Sequence, residues 1–418
     1  MPLNEWFFGP PASVEYLCKP TPFNTKIRNS LTEKVGVYHP PIYYNPHLVT
    51  LLQFGKIPEV HYDTQFIQNE HHQNIFTVDW YPFNPTTHSS TKIDQIILFF
   101  PGLGQSSNDI VARQFAKTVA ENGYICGIIN PRGHYDAQSS HLDKLWHPAL
   151  IDDVCLLMDK LHHAYSDNQR QTNILLVGFS GSTTILTTYI ANERAKPYIH
   201  CNTSNSETSK SDTSKSDTSK SETSKSDTSK SDTSKSVTIV GAVFCCFACE
   251  YINTRRLLEG SFWGRVYSYG LATLYKYHLH NHSRICQLSN LGVDPLSLLA
   301  NLDKSWCLSQ YERDSYRLYG FSSEEQLYSA YQTTPLLSKI SIPTIFMQPA
   351  DDPLYTLSHG VARSGIPTNE MMANENIIYM EPSHGAHGGF ANGYTDSHVY
   401  LPNTAMTFFE CILLAKNE

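Results

Sequence analysis

Six short apolar runs punctuate residues 95–380, and most are separated by stretches with helical periodicity. They are residues 95–100 (QIILFF), 124–129 (YICGII), 173–177 (NILLV), 237–244, 343–347 and 376–380. Continuous runs of this length suit strands buried on both faces rather than the alternating strands of a half-solvated sheet. Between the first two runs, Ile110, Val111, Phe115 and Val119 form an apolar stripe. Ser107, Asn108 and Asp109 can cap its start, and Asn122-Gly123 ends it. Leu150, Ile151, Val154, Leu157, Met158 and Leu161 form a second stripe, and residues 183–194 give a third helical stretch. Strands alternating with helices predict a mostly parallel central sheet with helices on both faces.

The chain has 418 residues, 40% of them hydrophobic, which is enough to build a large core and excludes wholesale disorder. Lys plus Arg is 31 and Asp plus Glu is 39, a net charge of −8 without basic clusters, so nucleic acid is not an expected partner. The ten cysteines are scattered, and Cys245, Cys246 and Cys249 have no matching second pair, so they read as buried thiols rather than a zinc site. A reducing compartment is the simpler reading of that usage. No run approaches the roughly 20 apolar residues of a membrane-spanning helix, and the first 19 residues lack a basic signal-peptide start.

Residues 206–235 are six copies of Ser-(Asp/Glu)-Thr-Ser-Lys. They contain no apolar side chain to offset ordering entropy, and a five-residue period fits neither helix nor strand, so they read as a disordered surface insert. The division expected is an N-terminal extension packing on the core (1–73), a first core part (74–205), the insert (206–235), a core strand (236–250), a helical cap (251–340) and a last core part (341–418). The cap reading rests on about 90 aromatic-rich residues without strong strand signals, among them Phe262, Trp263, Tyr267, Tyr269, Tyr275, Tyr277, Trp306 and Tyr311.

The third run leads straight into Gly178-Phe179-Ser180-Gly181-Ser182, followed by a helical stretch. A strand, a sharp turn and a helix, with Ser at the turn and small residues around it, is the layout of a nucleophile elbow. A hydroxyl is a weak nucleophile without a base, and the base is usually a His oriented by a carboxylate. Both follow in order at strand ends. Residues 348–353 read Gln-Pro-Ala-Asp-Asp-Pro, with Asp351 and Asp352 as candidate acids, and residues 381–390 hold His384 and His387 in a Gly-rich turn. Loops at the carboxyl ends of parallel strands are where such a sheet builds its site. Acyl transfer also needs oxyanion donors. The backbone N–H groups of Gly181 and of Leu103, in Phe100-Pro101-Gly102-Leu103-Gly104, are the candidates.

Together PGLG (101–104), NPRG (130–133), GFSGS (178–182), DDP (351–353) and GAHGGF (385–390) resemble the α/β-hydrolase superfamily. More narrowly they are similar to the abhydrolase-domain-containing acylglycerol lipases, the type-two branch that includes monoacylglycerol lipase. The resemblance covers roughly residues 40–415 outside the insert. It implies an α/β-hydrolase fold with a helical cap. It implies a serine carboxylic-ester hydrolase acting on lipid esters, with Ser180 as nucleophile, Asp352 (rival Asp351) as acid, His387 as base and His384 as a site wall. No cofactor or metal is implied, and no obligate protein partner. The chain departs from the branch at Gly181, usually bulky, at Ser182 and Ala386, both usually Gly, and in lacking an N-terminal anchor. The resemblance therefore implies peripheral membrane association, while the missing span and signal leave room for a cytoplasmic pool. Two other functions remain open: acyl transfer or phospholipase action on the same residues, with His147 and Asp152 in His-x4-Asp spacing, and a non-catalytic binding protein on this scaffold.

Overall fold

The computed structural model describes residues 10–36, 38–41, 43–52, 57–71, 74–87, 95–132, 145–166, 171–199, 236–282, 295–355, 366–390 and 399–416. The repeat, Gly133 of the NPRG motif and the ends of several loops lie outside them. Nine strands among the described residues form one sheet: β1 (Val14–Cys18), β2 (Asp63–Gln68), β3 (Asn74–Tyr81), β4 (Gln95–Phe100), β5 (Ile125–Asn130), β6 (Thr172–Phe179), β7 (Val237–Cys245), β8 (Thr344–Met347) and β9 (Ile377–Pro382). Their order is β1-β9-β8-β7-β6-β4-β5-β3-β2. The block from β5 to β9 is parallel, and β1, β2 and β3 pair antiparallel at its two edges.

The helices are α1 (Pro22–Ser30), α2 (Pro46–Leu52), α3 (Ile110–Glu121), α4 (Asp152–Ser166), α5 (Gly181–Ile190), α6 (Tyr251–Gly260), α7 (Phe262–His282), α8 (Pro295–Lys304), α9 (Leu308–Ser315), α10 (Glu324–Tyr331), α11 (Thr368–Ala373) and α12 (Tyr400–Lys416). The alternation of side chains along each strand sorts the core into two layers. Ile96, Leu98, Ile174, Leu176, Phe244 and Phe346 face α4 and α5 through Leu157, Met158, Leu186 and Tyr189. Ile97, Phe99, Leu175, Val177, Ile345 and Met380 face α3 and α12 through Phe115, Val119, Phe408 and Phe409. This double burial is why the central runs are apolar without interruption. Each such side chain contributes about 1.5–3 kcal/mol. The mostly parallel sheet covered on both faces is therefore present, as the run pattern predicts.

One local expectation differs from the structure in detail. Asp109 is the N-cap residue of α3, its carbonyl accepting from Arg113 N–H (2.9 Å), but its side chain does not bond the first turn; Oδ2 accepts from Ser106 N–H (2.5 Å), closing the preceding loop instead. The aromatic segment after β7 is helical, α6 to α10, but its aromatics divide. Tyr267, Tyr311, Tyr328 and Tyr331 are buried, while Phe262, Trp263, Tyr269, Tyr277 and Trp306 are exposed. Inside, Arg255 joins Glu312 (3.2 Å) and lies over the Tyr328 ring (4.4 Å), tying α6 to α9 and α10. Among the described residues no helix is long and apolar enough to cross a membrane.

Candidate active site

At the end of β6 the backbone turns through Ser180 with φ +53 and ψ −125, a conformation costly for any residue but glycine. Bonds on both sides hold it. Ser180 N–H donates to Cys245 O (2.9 Å) on β7, and Thr183 donates to Ser180 O from N–H (3.0 Å) and from Oγ1 (2.6 Å). Gly178 lets α5 start close against the strand, since a Cβ there would sit 2.9 Å from Leu186 and 3.3 Å from Thr183 Cα. The two unusual residues of the elbow have local causes. A Cβ at Gly181 would be 3.2 Å from the Trp146 ring, so the indole takes the space a side chain would use. The Ser182 hydroxyl donates to Pro101 O, tying α5 to the loop after β4.

His387 reaches the same point from the turn after β9. Its Nε2 lies 2.9 Å from Ser180 Oγ and its Nδ1 lies 2.9 Å from Asp352 Oδ2. Asp352 is fully buried; Leu354 N–H donates to its Oδ1 (2.9 Å), and Gln348 Nε2 donates (3.0 Å) to the same Oδ2 that faces His387. Burial opposes charging the imidazole, but the Asp352 carboxylate outweighs it and holds His387 above the ordinary histidine range. Gly388, at φ +79, has the Phe179 ring 2.3 Å from where a Cβ would project, so only glycine lets the turn close on the elbow.

The neighbouring candidates separate. Asp351 does not face the His387 ring; its Oδ1 accepts from Ala386 N–H (2.9 Å), and burial pushes the carboxyl up to about 7. His384 bonds Ser383 (2.9 Å) and packs edge-on against Tyr44, away from Ser180. The loop carrying Leu103 lies against the elbow, for a Cβ at Gly102 would be 3.0 Å from Ser180 Cβ. His147 and Asp152 do not act together: His147 accepts from Ala149 N–H (3.2 Å) among aromatic rings, and Asp152 pairs with Arg194 (2.8 Å).

Several neighbours escaped the sequence reading. The Tyr355 ring meets His387 edge-on at 5.4 Å. Gln348 links Asp352 to Phe247 N–H (2.9 Å). Cys246, at φ +56, is fully buried beside His387, and burial raises its thiol. Only the position of Tyr355, three residues beyond Asp352, signalled any of these. Cys246, Asp352 and His387 bring a thiol, a carboxylate and an imidazole within 4.8 Å of one another. Two of these groups already serve the Ser180 hydrogen-bond chain, so an ion held there would compete with it. Every described cysteine carries a free thiol.

A mostly parallel sheet sandwiched between helices, with Ser180 on a strained strand-to-helix turn and a carboxylate and a histidine following at later strand ends, is the layout of the α/β-hydrolase fold. No family profile matches the chain. Among curated proteins it is 22% identical over 337 residues to Abhydrolase domain-containing protein 2 of Drosophila melanogaster, covering 77% of this chain and 70% of that one. It is 22% identical over 397 residues to Monoacylglycerol lipase ABHD2 of Danio rerio, covering 92% and 81%. The Mus musculus protein of the same name matches at 22% over 321 residues, covering 74% and 63%. The chain is thus similar, at 22% identity, to abhydrolase-domain proteins. A solved esterase of Pyrococcus furiosus aligns with a TM-score of 0.41 at 10% identity, covering 89% of this chain and 93% of that one, too slight a likeness to add to the topology.

Proposed function

We propose that the chain is a serine hydrolase of carboxylic esters, with acylglycerols as its substrate class. The observation that carries this reading is the hydrogen-bond chain from Ser180 Oγ through both ring nitrogens of His387 to the buried Asp352, at 2.9 Å for each link. His387 Nε2 takes the Ser180 proton as Oγ attacks the acyl carbonyl. Asp352 fixes the ring's orientation and stabilises the imidazolium that forms. The backbone N–H groups of Gly181 and Leu103 receive the developing oxyanion, each worth about 10²–10³ in rate where such donors have been removed. His387 then gives its proton to the departing alcohol. Water, activated by the same imidazole, attacks the acyl-enzyme and releases the carboxylic acid. The names of the curated relatives support the acylglycerol class, and the aromatic helices between β7 and β8 would shield an acyl chain. A lipid ester substrate makes peripheral contact with a membrane part of the same reading.

The test is Ser180→Ala, assayed on p-nitrophenyl esters and monoacylglycerols and by labelling with a fluorophosphonate probe. Turnover and labelling should both vanish. Labelling that persists on the variant would put the nucleophile elsewhere.

A further inference from the structure

Three consecutive backbone amides of the turn carrying His387 each donate to a side chain from outside the turn. Gly385 N–H bonds the Tyr44 hydroxyl (3.1 Å), Ala386 N–H bonds Asp351 Oδ1 (2.9 Å) and His387 N–H bonds Thr50 Oγ1 (3.1 Å). Tyr44 and Thr50 stand 341 and 337 residues away in the chain, on α2 and the residues leading into it, while Asp351 comes from the loop after β8. Val49 of α2 closes on the same turn: a Cβ at Gly389 would be 2.3 Å from its Cγ1. α2 is itself fastened to α7, since His47 Nδ1 lies 3.0 Å from the Tyr267 hydroxyl and its ring stacks on Trp263 at 4.7 Å.

The turn needs such holding. Ala386 sits at φ +49, in the left-handed region that costs a non-glycine residue about 1–2 kcal/mol. A conformation of that kind persists only when its surroundings over-determine it. Rotation about Ala386 would also carry the imidazole of the next residue away from Ser180.

We propose that Tyr44, Thr50 and Asp351 form a three-point clamp on the backbone of residues 385–387, and that this clamp sets the reach of His387 Nε2 to Ser180 Oγ. The proposal rests on His387 being the general base. The three are positioning residues, because they hold the turn by its amides rather than touching the reacting atoms. The clamp also accounts for the adjacent aspartates: Asp352 orients the His387 ring, and Asp351 fixes the backbone just before it.

The experiment measures kcat, KM and the rate of fluorophosphonate labelling on p-nitrophenyl butyrate-active enzyme. The variants are Thr50→Val, Thr50→Ser, Tyr44→Phe, Asp351→Ala and Asp351→Asn, with Ser180→Ala as control. Thr50→Val should lower kcat and labelling together by about 10–100-fold, the cost of a misplaced catalytic group, with KM nearly unchanged. Thr50→Ser keeps the acceptor and should recover most of the loss, and Asp351→Asn should outperform Asp351→Ala for the same reason. Should Thr50→Val fail to fold, Tyr44→Phe and the Asp351 pair make the same comparison. Wild-type kcat in Thr50→Val, or in both Tyr44→Phe and Asp351→Ala, beside an inactive Ser180→Ala, would overturn the clamp and leave the site standing. Equal losses in Thr50→Ser and Thr50→Val would overturn it too. An active Ser180→Ala would remove the base assignment, and the clamp with it.

Discussion

Ser180 and Ala386 bend the chain in the same unfavourable sense, at φ +53 and φ +49, yet they are held in opposite ways. The Ser180 bend is braced by regular structure: its amide bonds the neighbouring strand, and its carbonyl takes two bonds from the helix it starts. The Ala386 bend is braced by side chains gathered from the far end of the sequence and from another loop. At Ser180 the strain presents an oxygen to His387 Nε2, so under the proposed function it cannot be relieved without losing the chemistry. At Ala386 the side chain is a methyl group that performs none, so its strain can be removed.

The sharpest way to break this contrast is Ser180→Gly. Turnover should fall by about 10⁶-fold. The fold should nonetheless gain about 1 kcal/mol, strain relief exceeding the entropy that glycine adds to the unfolded chain; a lower urea midpoint would refute the strain argument. Next in size is Asp352→Asn, which should lower kcat by about 10⁴-fold, far more than Asp351→Asn. The carboxylate raises His387, so wild type should show its acid limb above the ordinary imidazole range, and Asp352→Asn should move that limb to lower pH. The reverse ranking of the two aspartates would transfer the acid role to Asp351.

A third effect concerns stability against pH. Burial pushes Asp351 up to about 7, so the folded state prefers its neutral form. That preference stabilises fully below the aspartate's unfolded value and is lost as pH rises through about 7. The Asp351→Asn protein should therefore lose less Tm than wild type between about pH 4 and about pH 8, and parallel curves would count against it. The smallest expected change is Ala386→Gly, a gain of roughly 0.5–1 kcal/mol in chemical denaturation. No gain, or a loss, would mean the left-handed bend carries no cost at that position.

The same contrast explains what could be read in advance. The central strands were legible because burial on both faces leaves an unbroken apolar run, and β4 begins and ends where QIILFF does. The Gly178–Ser182 turn was legible because strand, bend and helix are contiguous, and the turn's neighbours in space are its neighbours in sequence. β1, β2 and β3 were missed. All three pair antiparallel, with β1 and β2 at the edges and β3 next to β2, and their patterns are mixed, as in DTQFIQ of β2, where Thr64 and Phe66 are exposed. Asp352 and His387 stood out as chemistry at strand ends. Tyr44 and Thr50 did not, because an acceptor for a backbone amide can be almost any hydroxyl, and nothing local marks a contact spanning more than 300 residues.

The segment with the five-residue repeat joins the described chain at Ile199 and Ser236, where Ile199 bridges Ile239 and Ser236 O accepts from Thr172 N–H (2.8 Å). Both junctions are at the amino ends of β6 and β7, whereas Ser180 lies past the carboxyl end of β6, a strand of eight residues, or about 26 Å, away. A change in the number of Ser-(Asp/Glu)-Thr-Ser-Lys copies would therefore enter the chain at the end of the sheet remote from Ser180. Engineered variants differing only in repeat number should be catalytic equals.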